Sequence, residues 1–210
     1  MALLLTALAS APVPGSAQTL ITTVSILGVS SEYPGIEATH LLTTDGFGPG
    51  NPPTFTNVYV PADIWETLPY QSQGVNWVAF DLGGIYDLAG FHIWNFNVTN
   101  SGLNYTGRGV SSMTVLTSAD NVTWNTHGTF TLAQANALPT YIGQDFAAGW
   151  DGVRYVKFDS LYSFQNGPDD AGHIGLSKVT FTAAAVPEPA SIAALFGLAV
   201  LGSLIWRRRS

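Results

Sequence analysis

The segment Phe47–Gln73 carries Pro49, Pro52, Pro53, Pro61 and Pro69 interleaved with Phe55, Tyr59, Trp65 and Tyr70. Flat rings on a proline-stiffened loop offer a stacking surface for sugars, and long loops often carry function. The same rings would serve equally as a lid over an apolar core. A second stretch, Asn100–Arg108, holds Asn104, Tyr105 and Arg108. Arg108 reads either as a ligand contact or as a salt-bridged structural residue. The candidate ligand-binding residues are therefore Tyr59, Trp65, Tyr70, Tyr105 and Arg108.

Other chemistries find little support. The four histidines, His40, His92, His127 and His173, form no pair at metal-ligand spacing. The chain has no cysteine, which excludes disulfides, thiolate zinc sites and cysteine nucleophiles. No phosphate loop is present. Carboxylates are plentiful, so a glycosidase pair stays open, but no residues single one out. The reading is a non-enzyme. Of fourteen acidic residues only Glu188 lies in the tail, which leaves thirteen in the body against Arg108, Arg154, Lys157 and Lys178. A body this acidic repels phosphate backbones, so nucleic acid is not an expected partner.

The elements that must position these loops read as short strands. Trp77–Leu82 places Val78, Phe80 and Leu82 on one face. Phe91–Phe96 puts Phe91, Ile93 and Asn95 on one side and His92, Trp94 and Phe96 on the other. Met113–Thr117, Thr129–Leu132, Val153–Phe158 and Ile174–Phe181 follow, and Thr19–Ile26 opens the body. Turns are expected at Gly83-Gly84, Ala119-Asp120-Asn121, Asp151-Gly152 and Asn166-Gly167-Pro168. Trp77, Trp94 and Trp124 are expected as core or strand-packing residues rather than ligand platforms. No long amphipathic helix interrupts the body. The pattern predicts an all-β jelly-roll β-sandwich of about eight strands.

Four segments in order resemble discoidin-like domains, also called coagulation-factor type C domains. These are Trp77–Gly83 (WVAFDLG), Leu88–Asn97 (LAGFHIWNFN), Arg108–Trp124 with its Arg-Gly start and Ser118-Ala119-Asp120-Asn121 turn, and His173–Phe181 (HIGLSKVTF). The resemblance implies the galactose-binding-like fold and ligand loops at one end of the sandwich. It also implies a structural calcium in the loop His40–Phe47, with Asp45-Gly46 as the recognisable pair. The family's second carboxylate lies in the closing strand, where this chain has Lys178. The expected metal ligand is thus Asp45 alone, and an ammonium at Lys178 could pair with it in the cation's stead.

Both ends look like addresses. Residues 1–17 combine an apolar run with Gly15-Ser16-Ala17 before Gln18, as in a secretory signal peptide. A buried N-terminal strand or helix is the alternative. At the other end, Pro187-Glu188-Pro189 breaks the chain, Ser191–Trp206 is apolar, and Arg207, Arg208 and Arg209 follow. Sixteen helical residues would span about 24 Å, short of a ~30 Å hydrocarbon core. This order resembles the PEP-CTERM sorting signal, which implies recognition and cleavage by an exosortase. A plain membrane anchor is the alternative.

The expected domains are a signal peptide over 1–17, a discoidin-like body over 18–185, and a sorting tail over 186–210 with a transmembrane helix at 191–206. The expected function is an exported binding module for carbohydrate, such as extracellular polysaccharide. The alternatives are a structural matrix or surface-coat protein without a small ligand and, less favoured, a glycan hydrolase. No cofactor is required; a structural calcium is what the resemblance implies. Expected partners are the exosortase, a glycan, and the membrane through the tail before cleavage. The expected route passes through the inner membrane to the cell surface or exterior.

Overall fold

The computed structural model describes residues 18–164 and 172–184. The expected signal peptide, the turn at Asn166-Gly167-Pro168 and the tail with its hydrophobic helix lie outside the described residues. Thr19–Ala184 forms one compact unit.

Strands β1 (Thr19–Leu20), β2 (Ser25–Val29), β3 (Phe47–Gly50), β4 (Pro53–Phe55), β5 (Trp65–Glu66) and β6 (Asn76–Asn95) lead the chain. They are followed by β7 (Thr99–Asn100), β8 (Leu103–Asn104), β9 (Val110–Ser118), β10 (Asn125–Thr131), β11 (Gln144–Ser163) and β12 (Gly175–Ala183). Three 3-10 turns, Ala38–Leu42, Pro61–Asp63 and Thr106–Arg108, complete the described structure. Among the described residues, no helix is long and apolar enough to cross a membrane.

Eight strands form one antiparallel sheet in the order β1-β12-β6-β11-β9-β10, with β2 also on β6 and β5 also on β12. It doubles over into two layers because β6 and β11 each pass through both. The start of β6 pairs with β2 and with the end of β11, while its end pairs with β12 and the start of β11. Gly83-Gly84 and Asp151-Gly152 are therefore bends inside 20-residue strands rather than chain-reversing turns. Gly83 sits at φ +80° and Gly152 at φ +67°, conformations that β-carbon-bearing residues avoid. The β6–β11 register shifts between Trp150 and Val153, and again between Val153 and Tyr155. Such irregularities bend a strand and raise its twist.

The alternation predicted for Trp77–Leu82 holds. Val78, Phe80 and Leu82 are fully buried. Between the layers, Phe80 and Phe158 meet Phe91 and Phe181. Phe80 lies 5.3 Å from Phe158 and 5.1 Å from Phe181, both edge-on, and Phe91 lies 5.4 Å from Phe158. Each buried ring contributes about 2–3 kcal/mol through lost water contact, and tilted pairs add up to about 1 kcal/mol more.

The other face of Phe91–Phe96 is also covered. Trp94 and Phe96 join Ile36, Phe55, Ile64 and Val98 in a second cluster beneath the proline-rich segment. The Trp94 indole N–H donates to the Pro53 carbonyl at 2.9 Å. Part of that segment is thus a lid, the reading that rests on Phe55. Trp77 and Trp124 are half-buried, not core, because both stand on the outer side of the sandwich.

Candidate functional site

The 3-10 turn Thr106–Arg108 is set by its neighbours. The Asn104 side-chain oxygen accepts from the Thr106 N–H at 2.9 Å, and the Arg108 N–H donates to the Tyr105 carbonyl at 3.0 Å. Asn104 is therefore a turn cap. The adjoining strand segment is stitched on. The Thr99 N–H donates to the Asn57 carbonyl at 2.7 Å, the Tyr59 N–H to the Thr99 carbonyl at 3.3 Å, and the Asn57 amide to the Ala137 carbonyl at 2.7 Å. These bonds bring Tyr59 beside Tyr105 across more than forty residues of chain.

Tyr59, Tyr105 and Arg108 converge on one open pocket of about 170 Å³, with Asn100 beside them and Phe96 and Val98 in its lining. That is below the roughly 300–1,000 Å³ of drug-sized sites and suits a ligand of one or two small rings. Burial pushes the Tyr59 phenol above its usual range, with the Glu66 carboxylate next in effect, Tyr33 and Tyr105 adding to it and Arg108 opposing. It stays a neutral hydroxyl able to donate and accept.

Arg108 is held, as the salt-bridge reading expects. Its Nη1 donates to Glu66 Oε1 at 2.6 Å, and its guanidinium carbon lies 4.3 Å from the Tyr105 ring centroid. Glu66 is buried on β5, and His173 Nδ1 approaches the same carboxylate oxygen at 3.4 Å while bonding the Thr67 carbonyl at 2.9 Å. The network orients Arg108 and leaves its charge balanced. None of the described residues lining the pocket is a carboxylate.

Two expected ligand residues lie elsewhere. Trp65 is fully buried in the main core, because β5 pairs with β12 and turns the indole inward. It offers no face to a ligand. Tyr70 is 84% exposed at φ +58° and does not line the pocket. Asn100 is a lining residue that sequence reasoning passed over, and only its neighbours in space mark it.

The calcium implied for His40–Phe47 does not fit. Asp45 is exposed. The Lys178 Nζ lies in the oxygen-rich corner of that loop, donating to the His40 carbonyl at 2.6 Å and to Thr43 Oγ1 at 2.7 Å. The expected direct pairing with Asp45 is replaced by these two bonds, since the ammonium reaches the 3-10 turn first. Burial lowers the Lys178 ammonium to about 8, against the pull of Asp63 and Asp45. Among the described residues, no group of three His, Asp or Glu side chains is placed to hold a metal.

A second aromatic surface lies on the outer face of the sheet. Gly28 stands opposite Ala79 and Ala79 opposite Lys157, and this row lines a groove of about 330 Å³ with Leu27, Trp77, Asn121 and Trp124. The Lys157 Nζ lies 4.7 Å from the Trp77 ring centroid and 2.7 Å from Asp159 Oδ1. Trp77 is thus capped by its own neighbour.

Comparisons agree with this architecture. The body has the fold of carbohydrate-binding modules of the discoidin-like, galactose-binding type. CBM32-3 from a family 31 glycoside hydrolase of Clostridium perfringens superposes with a TM-score of 0.57 at 14% identity, covering 79% of this chain and 94% of that one. The family 32 module of C. perfringens NanJ, solved in complex with galactose, gives 0.54 at 10% identity, over 79% and 99% of the two chains. The lectin-binding domain of Lectinolysin, in a mutant complexed with Lewis b, gives 0.53 at 17% identity, over 81% and 99%. No curated protein sequence matches the chain. The PEP-CTERM protein-sorting motif matches residues 185–209, which include Pro187, Glu188, Pro189 and Arg207–Arg209. The chain carries this sorting motif, which indicates export to the cell surface by way of an exosortase.

Proposed function

We propose that the body is a non-catalytic carbohydrate-binding module whose ligand site is the Tyr59–Tyr105–Arg108–Asn100 pocket. The observation that carries this is the convergence of two tyrosine rings, one guanidinium and one amide on a single open cleft. Rings stack on sugar faces, while the amide, phenol and guanidinium meet hydroxyls. Glu66 already balances the Arg108 charge, which favours a neutral, hydroxyl-rich ligand over an anionic one. The solved relatives in complex with galactose and with Lewis b support a sugar as the class of ligand. Catalysis is disfavoured because hydrolysis of a glycosidic bond commonly uses two carboxylates around it, and the described residues lining the pocket include none. The acidic body disfavours nucleic acid.

The polysaccharide of the exporting cell is the first ligand to test. In this reading the body spans 18–185, and the tail holds an inner-membrane intermediate until the exosortase acts. A glycan array followed by calorimetry on the mature exported protein tests the binding. Affinity for at least one neutral glycan, weakened about tenfold or more in Tyr105→Ala, is expected. Failure to bind any polysaccharide would sink the proposal.

A further inference from the structure

Lys178 is fully buried, yet it carries an ammonium group. A charge in that position needs oxygen partners, because removal from water is costly when none are supplied. It finds them in one loop. The His40 carbonyl and Thr43 Oγ1 accept from it at 2.6 and 2.7 Å, and Asp63 and Asp45 add negative field. Asp63 is itself buried, on the 3-10 turn Pro61–Asp63. The Phe55 ring centroid lies 5.9 Å from Nζ, and Phe55 packs in the same cluster as Phe96 and Val98 of the ligand pocket.

A carbonyl, a hydroxyl and two nearby carboxylates are the oxygen types that hold a hard divalent cation. Here the positive charge comes on a four-carbon stem from β12. It bridges positions 138 and 135 residues apart in the chain. A divalent ion entering this corner would meet a fixed like charge and find two oxygens already engaged.

We infer that the Lys178 ammonium is a tethered cation that ties the loop around His40–Asp45 to the closing strand in place of a metal ion, which makes the fold independent of calcium. Removing the ammonium and supplying a carboxylate converts the corner into a metal site. Lys178→Glu would place a third carboxylate beside Asp45 and Asp63, which repel it until a divalent ion binds.

Thermal unfolding of the mature protein in excess chelator and in millimolar calcium tests this. The wild type is expected to melt at the same temperature in both. Lys178→Glu is expected to melt lower in chelator and to recover by several degrees in calcium. Calcium stabilisation of the wild type, or a folded Lys178→Glu indifferent to calcium, would overturn the inference. Should that variant not fold, acylation of the native wild type with an amine reagent decides. Lys178 should resist while Lys157 reacts, and labelling of both at one rate would contradict a buried, bonded ammonium.

Discussion

Arg108 Nη1 meets Glu66 Oε1 at 2.6 Å, between side chains that are 15% and 2% exposed. A pair this buried differs from a surface ion pair. Removing one partner strands the other charge away from water.

Arg108→Ala should therefore destabilise the body by about 3–5 kcal/mol, chiefly through the abandoned Glu66 carboxylate. Urea unfolding measures it. The double variant Arg108→Ala with Glu66→Gln should recover part of that loss, since the uncompensated charge is gone. A loss below about 1 kcal/mol in the single variant would mean that the pair is solvated like a surface bridge.

Binding is better probed beside that network. Asn100→Ala should leave the melting temperature near wild type, while Tyr105→Ala, which removes the ring packed on Arg108 and on the second cluster, should lower it. Each should weaken glycan affinity about tenfold or more, the equivalent of roughly 1.4 kcal/mol. Trp124→Ala lies in the separate outer groove and should change affinity at this pocket less than twofold, about 0.4 kcal/mol. Calorimetry on the three variants reads both quantities.

Acid stability should report on Asp81. Arg154 grips both its oxygens, Nε to Oδ1 at 3.1 Å and Nη2 to Oδ2 at 3.0 Å, and the Gly83 N–H adds a bond at 2.8 Å. The Arg154 hydrogen bond is the largest cause that holds the Asp81 carboxyl below the ordinary aspartate range; burial opposes it. The folded state then binds fewer protons than the unfolded chain. Its contribution is full above the unfolded pKa and is lost as pH falls through the lower, folded value. Arg154 is 42% exposed, so solvent screens the pair and keeps its contribution small. Asp81→Asn should flatten that part of the pH–stability curve in denaturant titrations below pH ~4.

Gly83 marks the bend of β6. At φ +80° an added β-carbon would lie 2.7 Å from the Thr23 β-carbon and 2.8 Å from its carbonyl oxygen. Gly83→Ala should cost about 1–3 kcal/mol from backbone strain and crowding together. Gly102, also at positive φ but with open space around it, should tolerate alanine better. Melting curves of the two variants make the comparison.

The tail predicts a processing result. Replacing Pro187, Glu188 and Pro189 by alanine should leave the chain uncut at its C-terminus in the native host. Intact-protein mass reads this directly, and normal trimming of the variant would place recognition elsewhere in residues 185–209.

Much of the scaffold was legible in the sequence. The side-chain period of two in a strand sorted Val78, Phe80 and Leu82 to one face, and they are buried. It could not tell that Gly83-Gly84 bends a strand while other glycines end one, because a positive φ serves both uses. Nor could it sort the rings of the proline-rich segment. Trp65 went inward because two residues of it pair with β12, a partner more than a hundred positions away. Tyr59 reached the pocket through backbone bonds to Thr99.

By itself, then, the sequence determined what depends on neighbours along the chain: strand faces, the Pro-Glu-Pro address with its arginines, the absence of thiol chemistry and the acidic balance. The tertiary structure alone decided which of the aromatic side chains faces solvent, that Asn100 joins them, and that Lys178 donates to oxygens of the His40–Thr43 turn. Those outcomes rest on contacts between segments distant in sequence. No local spacing encodes such contacts, because the chain between them is folded through two layers before they meet.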